Sequence, residues 1–285
     1  MSYDLFLTFK NPVRRKDFLS FFAGRKHYQV EGQEIGYENP DTGVYFSYSC
    51  TSKRNFLLRE FVSEAALNLN YFRPSFFGLE AEGEVSALVA AFEPKIEDPQ
   101  LDGMGSGPYS QEGFLRGWNT GNEFGVRAFI QQETKTVVPF LPSSVIQGVW
   151  DWNSSRTSRM EKLGQDQFIP LIMYFDVDGK TCTAAIWPEA LPVILPVVDM
   201  VLIGRKGSGD SQSFSFIPWR TIADFLVGVG FAEEKTGFNL HYEKAPQNVL
   251  DFVNALPETD LSSLIKLSPD QVLDEELFQA ARIAQ

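Results

Sequence analysis

The apolar and polar positions of the first 98 residues predict elements in the order β-α-β-β-β-α. Residues 3–9 alternate with period two, with Tyr, Leu and Leu on one side and Asp, Phe and Thr on the other, which indicates a strand that Pro12 closes. Residues 14–23 carry apolar side chains at helical spacing before Gly24, which indicates a short helix.

Three further strands and a helix complete this expected unit. Residues 34–37 and 44–50 flank Asn-Pro-Asp-Thr-Gly, a turn sequence that predicts a hairpin. A strand is expected to end at residues 67–72, and residues 80–92 have the apolar stripe of a helix. This order favours an α+β fold whose first lobe is a ferredoxin-like two-layer sandwich.

Residues 99–110 have the composition of a linker, since Asp-Pro is followed by a Gly-Met-Gly-Ser-Gly-Pro run. The sequence therefore predicts four regions. They are an N-terminal α+β lobe (1–98), the linker (99–110), helices with a second mixed α/β lobe (111–257), and an acidic C-terminal helical segment (258–285).

Two helices are expected directly after this linker, at residues 112–132 and 142–163. Ser143 and Ser144 are suited to cap the second helix. The first helix carries a glycine at every fourth position, which allows another backbone to approach closely but costs about 1 kcal/mol per glycine relative to alanine. The segment is either a tightly packed helix, which is favoured, or not a regular helix. The glycines are Gly113, Gly117, Gly121 and Gly125.

The second lobe begins with a hairpin signal at Asp178 and Gly179, between expected strands at 168–176 and 180–187. Residues 193–203 are apolar and β-branched, which predicts one central strand. Further elements are expected in the order helix, strand, helix, at residues 219–229, 238–243 and 246–256.

The last segment has a capping arrangement around Pro269, followed by a helix with one apolar and one acidic face. Two outcomes are open for this helix, which either docks on its own domain or is offered to a partner. The acidic face consists of Asp274, Glu275 and Glu276.

The net charge of −12 is spread along the chain rather than gathered in one segment. Without a basic block, binding to nucleic acid or to an anionic membrane is disfavoured. An acidic surface would instead attract a basic protein partner quickly, although the charge is also explained if it only keeps the chain soluble. The 25 Phe residues imply extensive packing, or a surface meant for a partner.

Candidate chemistry is sparse. Cys50 and Cys182 are too few for a disulfide framework or a closed zinc site, and His27 and His241 are the only histidines available to a triad. No secretory signal is evident, and the longest apolar stretch, 190–204, is broken by proline and aspartate, so the cytoplasm is the expected location. The sequence assigns no catalytic residue, cofactor or metal ligand.

Four other patterns resemble functional sites but have simpler structural interpretations. Residues 204–209 follow a strand as a phosphate-binding loop would, but the lysine stands in the wrong place, so a surface loop is expected. Asp176 and Asp178 resemble the start of a calcium loop that lacks its closing glutamate, which favours a hairpin turn. The third pattern is a row of basic residues, which is typical of a solvated helix face. The fourth is a row of acidic residues, whose carboxylates a helix N-terminus would stabilise. The two rows are Arg156, Arg159 and Lys162, and Glu80, Glu82 and Glu84.

Two functions from different classes follow. The first is an acidic, aromatic-rich module that binds a protein, for example an inhibitor or immunity protein that masks a basic toxin or enzyme. Its candidate binding residues are Trp118, Trp150, Trp152 and Trp219, with the acidic residues 274–276 to steer the partner. The alternative is a hydrolytic enzyme that works with carboxylates in a cleft between lobes, for which Asp176, Glu189 and Asp199 are the candidates.

Overall fold

In the computed structural model of the chain, residues 1–55, 59–100, 102–131, 138–163, 167–206 and 212–283 are described. The chain forms two compact units, of which the first combines Met1–Gln147 with Asp270–Gln285 and the second is Gly148–Pro269. Helices and several sheets occur together, so the predicted α+β class is confirmed.

Along the chain, the helices and strands of the described residues lie in the first unit, then in the second unit, and finally in the first unit again. The first 163 residues form β1 (Ser2–Arg14), α1 (Arg15–Ala23), β2 (Tyr28–Glu31), β3 (Glu34–Glu38), β4 (Tyr45–Arg54), β5 (Glu60–Asn70), α2 (Phe76–Phe92), β6 (Lys95–Glu97), β7 (Ser106–Gly107), α3 (Gln111–Gln131), β8 (Phe140–Leu141) and α4 (Ser143–Leu163). The second unit continues with β9 (Ile172–Val177), β10 (Lys180–Pro188), β11 (Val193–Pro196), β12 (Met200–Lys206), β13 (Gln212–Pro218), α5 (Trp219–Gly228), β14 (Glu233–Glu234), β15 (Gly237–Leu240), α6 (Gln247–Ala255) and β16 (Ile265–Leu267). The chain then returns to the first unit with β17 (Leu273–Asp274) and α7 (Glu275–Ile283).

The first unit is organised by a seven-stranded sheet in the order β2-β3-β4-β5-β1-β6-β7. Alternate residues of each long strand are buried, as in β4 and β1, so the sheet has one covered face and one open face. Helices cover the buried face, where the ring of Phe114 in α3 lies 5.1 Å from that of Tyr3 and the ring of Phe18 in α1 lies 5.5 Å from that of Phe9.

The ferredoxin-like arrangement is not confirmed. An additional strand, β2, follows α1, and three strands, β3, β4 and β5, separate it from β1 in the sheet, whereas a split βαβ unit places a single strand between the two strands that flank its helix. Strand β1 is also longer than predicted, because Pro12 lies in a register shift between Thr8 and Val13 and does not end the strand.

The expected linker at 99–110 lies inside the first unit instead of joining two lobes. Its strand β7 pairs with β6, and the buried carboxylate of Asp98 accepts hydrogen bonds from the backbone N–H of Gln100 and Met104. A Cβ on Gly103 would lie only 2.0 Å from that carboxylate. The glycine here permits a tight turn around Asp98, which composition alone cannot distinguish from a flexible linker.

Helix α3 is regular, which settles the two interpretations of its glycine stripe in favour of close packing. A Cβ on Gly121 would lie 2.1 Å from the hydroxyl of Tyr71, and one on Gly117 would lie 2.8 Å from the Cα of Gly103. The glycines therefore let α3 approach both Tyr71, at the end of the central strand β5, and the turn around Asp98.

The second unit contains a five-stranded sheet in the order β13-β12-β10-β9-β16. The predicted hairpin joins β9 to β10, and both of its turn residues have positive φ, 53° at Asp178 and 80° at Gly179, as the turn sequence requires. The single strand expected at 193–203 is wrong, because Pro196 ends β11 in a separate three-stranded sheet and β12 starts at Met200.

The C-terminal helix docks on its own unit, where α7 contacts α3. It starts at Glu275 and not near Pro269, because Leu273 and Asp274 first form β17, which runs parallel to β8. This segment carries the acidic residues that were expected to face a partner.

Candidate functional site

The four tryptophans expected to anchor a partner are not all at the surface. Trp118 is completely buried against Gly78 of α2, and Trp152 is 7% exposed and donates its indole N–H to the carbonyl oxygen of Pro170. These two are core residues and are not available to a partner in this structure. Trp150 and Trp219 are half-buried.

Two of the three acidic residues, Asp274 and Glu276, hold other elements of the first unit in place. The carboxylate of Asp274 is 1% exposed and accepts the backbone N–H and the hydroxyl of Ser75, both at 2.7 Å, at the start of α2. Glu276 accepts the backbone N–H of Ser143 at 2.9 Å at the start of α4. Hydrogen bonds from Ser143 lower the pKa of Glu276 below its usual value. Helix N-termini favour such carboxylates. The steering role expected of residues 274–276 stays a prediction, which the burial of Asp274 does not favour.

Two of the three carboxylates of the enzyme alternative, Asp176 and Asp199, accept hydrogen bonds from nearby residues. Asp176 accepts the N–H of Gly179 in the hairpin turn at 2.7 Å, and Asp199 accepts both the N–H and the hydroxyl of Thr183 at 2.8 Å. Burial, followed by the charge of Asp199, raises the pKa of the Cys182 thiol to about 11, so this thiol is protonated at neutral pH. The hydrolytic alternative stays a prediction.

Two of the basic residues singled out in the sequence, Arg205 and Arg159, have structural partners in the second unit. Arg205 is 8% exposed and donates to the carbonyl oxygens of Val253 and Leu256 at the end of α6, which completes that helix terminus. Residues 207–211 of the glycine-rich segment lie outside the described residues. Arg159 stacks on the ring of Trp152 with its guanidinium 3.9 Å from the ring centroid.

The glutamates of α2 are held by hydrogen bonds and not by the helix N-terminus, because α2 starts at Phe76 and has no acidic residue in its first turn. Glu82 is 5% exposed and accepts hydrogen bonds from Tyr109 at 2.8 Å and from Gln111 at 2.9 Å. Glu84 accepts two from Arg25, at 2.9 and 2.7 Å.

The third glutamate of the set, Glu80, accepts hydrogen bonds from Tyr37, Asn39 and Thr42 at 2.7, 2.7 and 3.1 Å. These donors belong to the β3–β4 hairpin, whereas those of Glu82 and Glu84 belong to the start of α3 and the segment after α1. Each glutamate of α2 thus ties one peripheral segment to the helix.

The open face of the seven-stranded sheet is the surface where acidic residues gather. This face consists of the exposed and half-buried residues that alternate with the core residues along β1–β6. In β1 and β4 it extends as far as the register shifts at Thr8 and Thr51. This open face carries six acidic residues and one lysine, which are Asp4, Glu31, Glu34, Glu38, Glu64, Glu97 and Lys95.

Most of these carboxylates have no partner. Among the described residues, Asp4 alone of the six accepts hydrogen bonds, from Ser2 and from Asn68. Glu31 and Glu34 lie directly opposite each other on neighbouring strands. Like charges in that position are destabilising, so the open face holds negative charge that its own fold does not neutralise.

A shallow trough crosses this face because its central side chains are small. Gly36 stands directly opposite Ser47, and Ser47 stands opposite Asn68. A Cβ built on Gly36 would meet nothing within 4 Å. The trough has a volume of about 360 Å³, and Glu38 and Tyr45 line its rim.

An exposed ring lies on the same face. Phe6 of β1 is 45% exposed, opposite Ala66 on one neighbouring strand and Glu97 on the other. The sequence-based choice of tryptophans missed this ring. The signal was present, since the alternation of β1 places Asp4, Phe6 and Thr8 on the side opposite the core residues.

Comparison with known proteins yields no match, whether with protein-family models, curated proteins or solved structures. Within the described residues, no helix is long and apolar enough to cross a membrane. No group of three or more His, Cys, Asp or Glu side chains in those residues is arranged to hold a metal ion. The open face is therefore assessed on its own chemistry.

Proposed function

We propose that this chain is a protein-binding module whose open face captures a partner with a basic surface segment. The observation that carries the proposal is the set of unneutralised carboxylates on the open face of the sheet, two of them directly opposed. A basic segment would remove this repulsion, so the interaction is favourable before any other contact is counted.

The shape of the open face supports the same proposal. Lysine and arginine have long, thin apolar stems, which the trough along Gly36 and Ser47 accommodates. The amide of Asn70 and the carboxylate of Glu38, which also line the trough, offer acceptors for the charged ends. Phe6 supplies an exposed aromatic side chain of a type that is enriched in protein interfaces.

Within this class of function, roles differ in what capture does to the partner. An inhibitor or immunity protein for a basic toxin or enzyme is one such case and stays a prediction. Its rationale is that an acidic surface raises the association rate with a basic target, which an inhibitor needs.

Affinity capture from the lysate of the native host tests the proposal with three baits. They are the wild-type chain, Glu34→Lys/Glu38→Lys on the open face, and Glu233→Lys/Glu234→Lys on the exposed strand β14 of the second unit. Both variants change the net charge equally. Retention is compared by quantitative mass spectrometry at about 50 and about 300 mM salt, between which screening increases strongly.

The proposal predicts one basic protein that the wild type and the β14 variant retain, that the open-face variant loses, and that higher salt weakens. Equal retention by both variants would show that total charge and not the open face attracts the protein. Absence of any stoichiometric basic protein at both salt concentrations would reject the proposal.

A further inference from the structure

One end of the first sheet is basic, although the chain as a whole has a net charge of −12. Beyond the register shifts in β1 and β4, Arg14 and Lys53 both stand opposite Phe61 of β5. The sequence distributes these cations over separate segments, and only the sheet brings them together. The cations of this end are Lys10, Arg14, Arg15, Lys16, Lys53, Arg54 and Arg59.

A cavity of about 700 Å³ opens at this basic end. Four of the cations line it, namely Arg14, Arg15, Lys16 and Arg59. The volume lies in the range of sites for small molecules, and it is about twice that of the trough on the open face.

The positive charge of the cavity is only partly neutralised by the fold. Glu60, which also lines it, already binds Arg54 at 2.8 Å and lies 3.8 Å from Arg15. Within the described residues, Arg14 and Arg59 have no acidic partner within 4 Å, and the same holds for Lys16. Asp17 in the first turn of α1 is exposed and is the nearest acidic residue along that helix.

The remaining wall of the cavity is mostly apolar, with Ser20 as its one polar side chain among the lining residues. Leu19 and Ala23 from α1 face the cavity together with Val30 of the edge strand β2. A ligand that fits both parts needs several negative charges at one end and an organic body at the other.

We infer that this cavity binds a small organic anion that carries two or more phosphate groups. Phosphate groups bring close to two negative charges each and three acceptor oxygens, and the planar guanidinium groups of arginine bind them through paired hydrogen bonds. The apolar wall then holds the organic part. This binding site is separate from the open face and does not depend on the proposed function.

Isothermal titration calorimetry of the full chain, without divalent metal and at about 50 mM salt, tests the inference with inorganic pyrophosphate and with ATP. The expected result is saturable 1:1 binding of both, tighter for ATP because pyrophosphate has no organic part to contact Leu19 and Val30. No saturable binding of either probe would overturn the inference, and so would equal affinity for the two.

Matched variants locate the binding. Arg14→Ala/Arg59→Ala is expected to weaken ATP binding by about tenfold or more, while Arg220→Ala, an exposed arginine of the second unit, leaves it unchanged. Equal affinity for ATP in the wild type and the double variant would overturn the inference. A single-stranded oligonucleotide is tested as well. If it binds more tightly than ATP and this binding requires Lys10 and Lys53, the ligand is a nucleic acid and the inference of a small ligand is overturned.

Discussion

Both faces of the first sheet carry carboxylates, but the two sets differ in the hydrogen bonds that they accept. On the covered face, Glu80 and Glu82 of α2 each accept hydrogen bonds from three side chains. On the open face, Glu31, Glu34 and Glu38 accept none within the described residues. One face uses carboxylates to fix the fold, whereas the other leaves them free.

This difference shows that the surroundings of a carboxylate, and not its residue type, decide its role. A buried carboxylate must be satisfied by donors, since an unpaired buried charge is costly. An exposed carboxylate without a donor remains able to pair with an arriving cation. Counting the acidic residues of the chain mixes both kinds and therefore says little about binding.

The largest expected effect is a difference between the two units in their stability at alkaline pH. Burial raises the pKa of Tyr3, Tyr37 and Tyr48 on the covered face well above the ordinary value. The folded state thus favours the neutral phenol, so its stability is complete below a pH of about 10 and is lost as the pH rises further. In the second unit, burial raises the pKa of Tyr242 to about 12.

We therefore expect the first unit to unfold before the second during a titration from pH ~9 to ~12. Phenolate absorbance would report the ionisation, and limited proteolysis at each pH would show which unit opens. Loss of the second unit first would contradict the role assigned to the buried phenols.

The next largest effect is expected from the covered-face carboxylate Glu82. Glu82→Ala leaves the donors of Tyr109 and Gln111 without their acceptor, which is expected to lower the free energy of unfolding by about 2–4 kcal/mol. Urea unfolding followed by circular dichroism measures this change.

A matched substitution on the open face sharpens the comparison. Glu64 is exposed and has no partner among the described residues, so Glu64→Ala should change the free energy of unfolding by less than about 0.5 kcal/mol. Equal destabilisation by the two substitutions would remove the distinction between the faces.

The smallest effect is expected from filling the trough. Gly36→Val places a β-branched side chain where a Cβ meets nothing within 4 Å, so the strand should become slightly more stable. Affinity for the captured basic partner should fall by about tenfold as the side chain blocks the trough. Surface plasmon resonance measures the affinity, and Gly83→Ala on the exposed side of α2 serves as the control. Unchanged affinity would mean that the partner does not enter the trough.

Local sequence signals predicted local structure well. The expected helices at 14–23 and 112–132 start within one residue of α1 and α3. The hairpin at Asp178 and Gly179 has the backbone angles that its residue types favour. These signals depend on residues near each other in the chain, which is why a single sequence contains them.

Contacts between distant residues were not predictable in the same way. Asp274 binds Ser75 across 199 positions, and Glu276 binds Ser143 across 133. Nothing near these acids in the sequence identifies them as helix caps. The same limit applies to Trp118, whose burial depends on a glycine of another helix, and to the open face, which exists only once the strand order is known.

Photo-crosslinking tests most directly whether the open face is the partner-binding surface. A photo-crosslinking amino acid is placed at Gln29, which lines the trough, or at Val227, which is 51% exposed on α5 of the second unit. Each variant is irradiated in the native host, and the covalent adducts are identified. The account predicts a basic protein joined to position 29 and not to position 227. Adducts of that protein at position 227 with none at position 29 would contradict it.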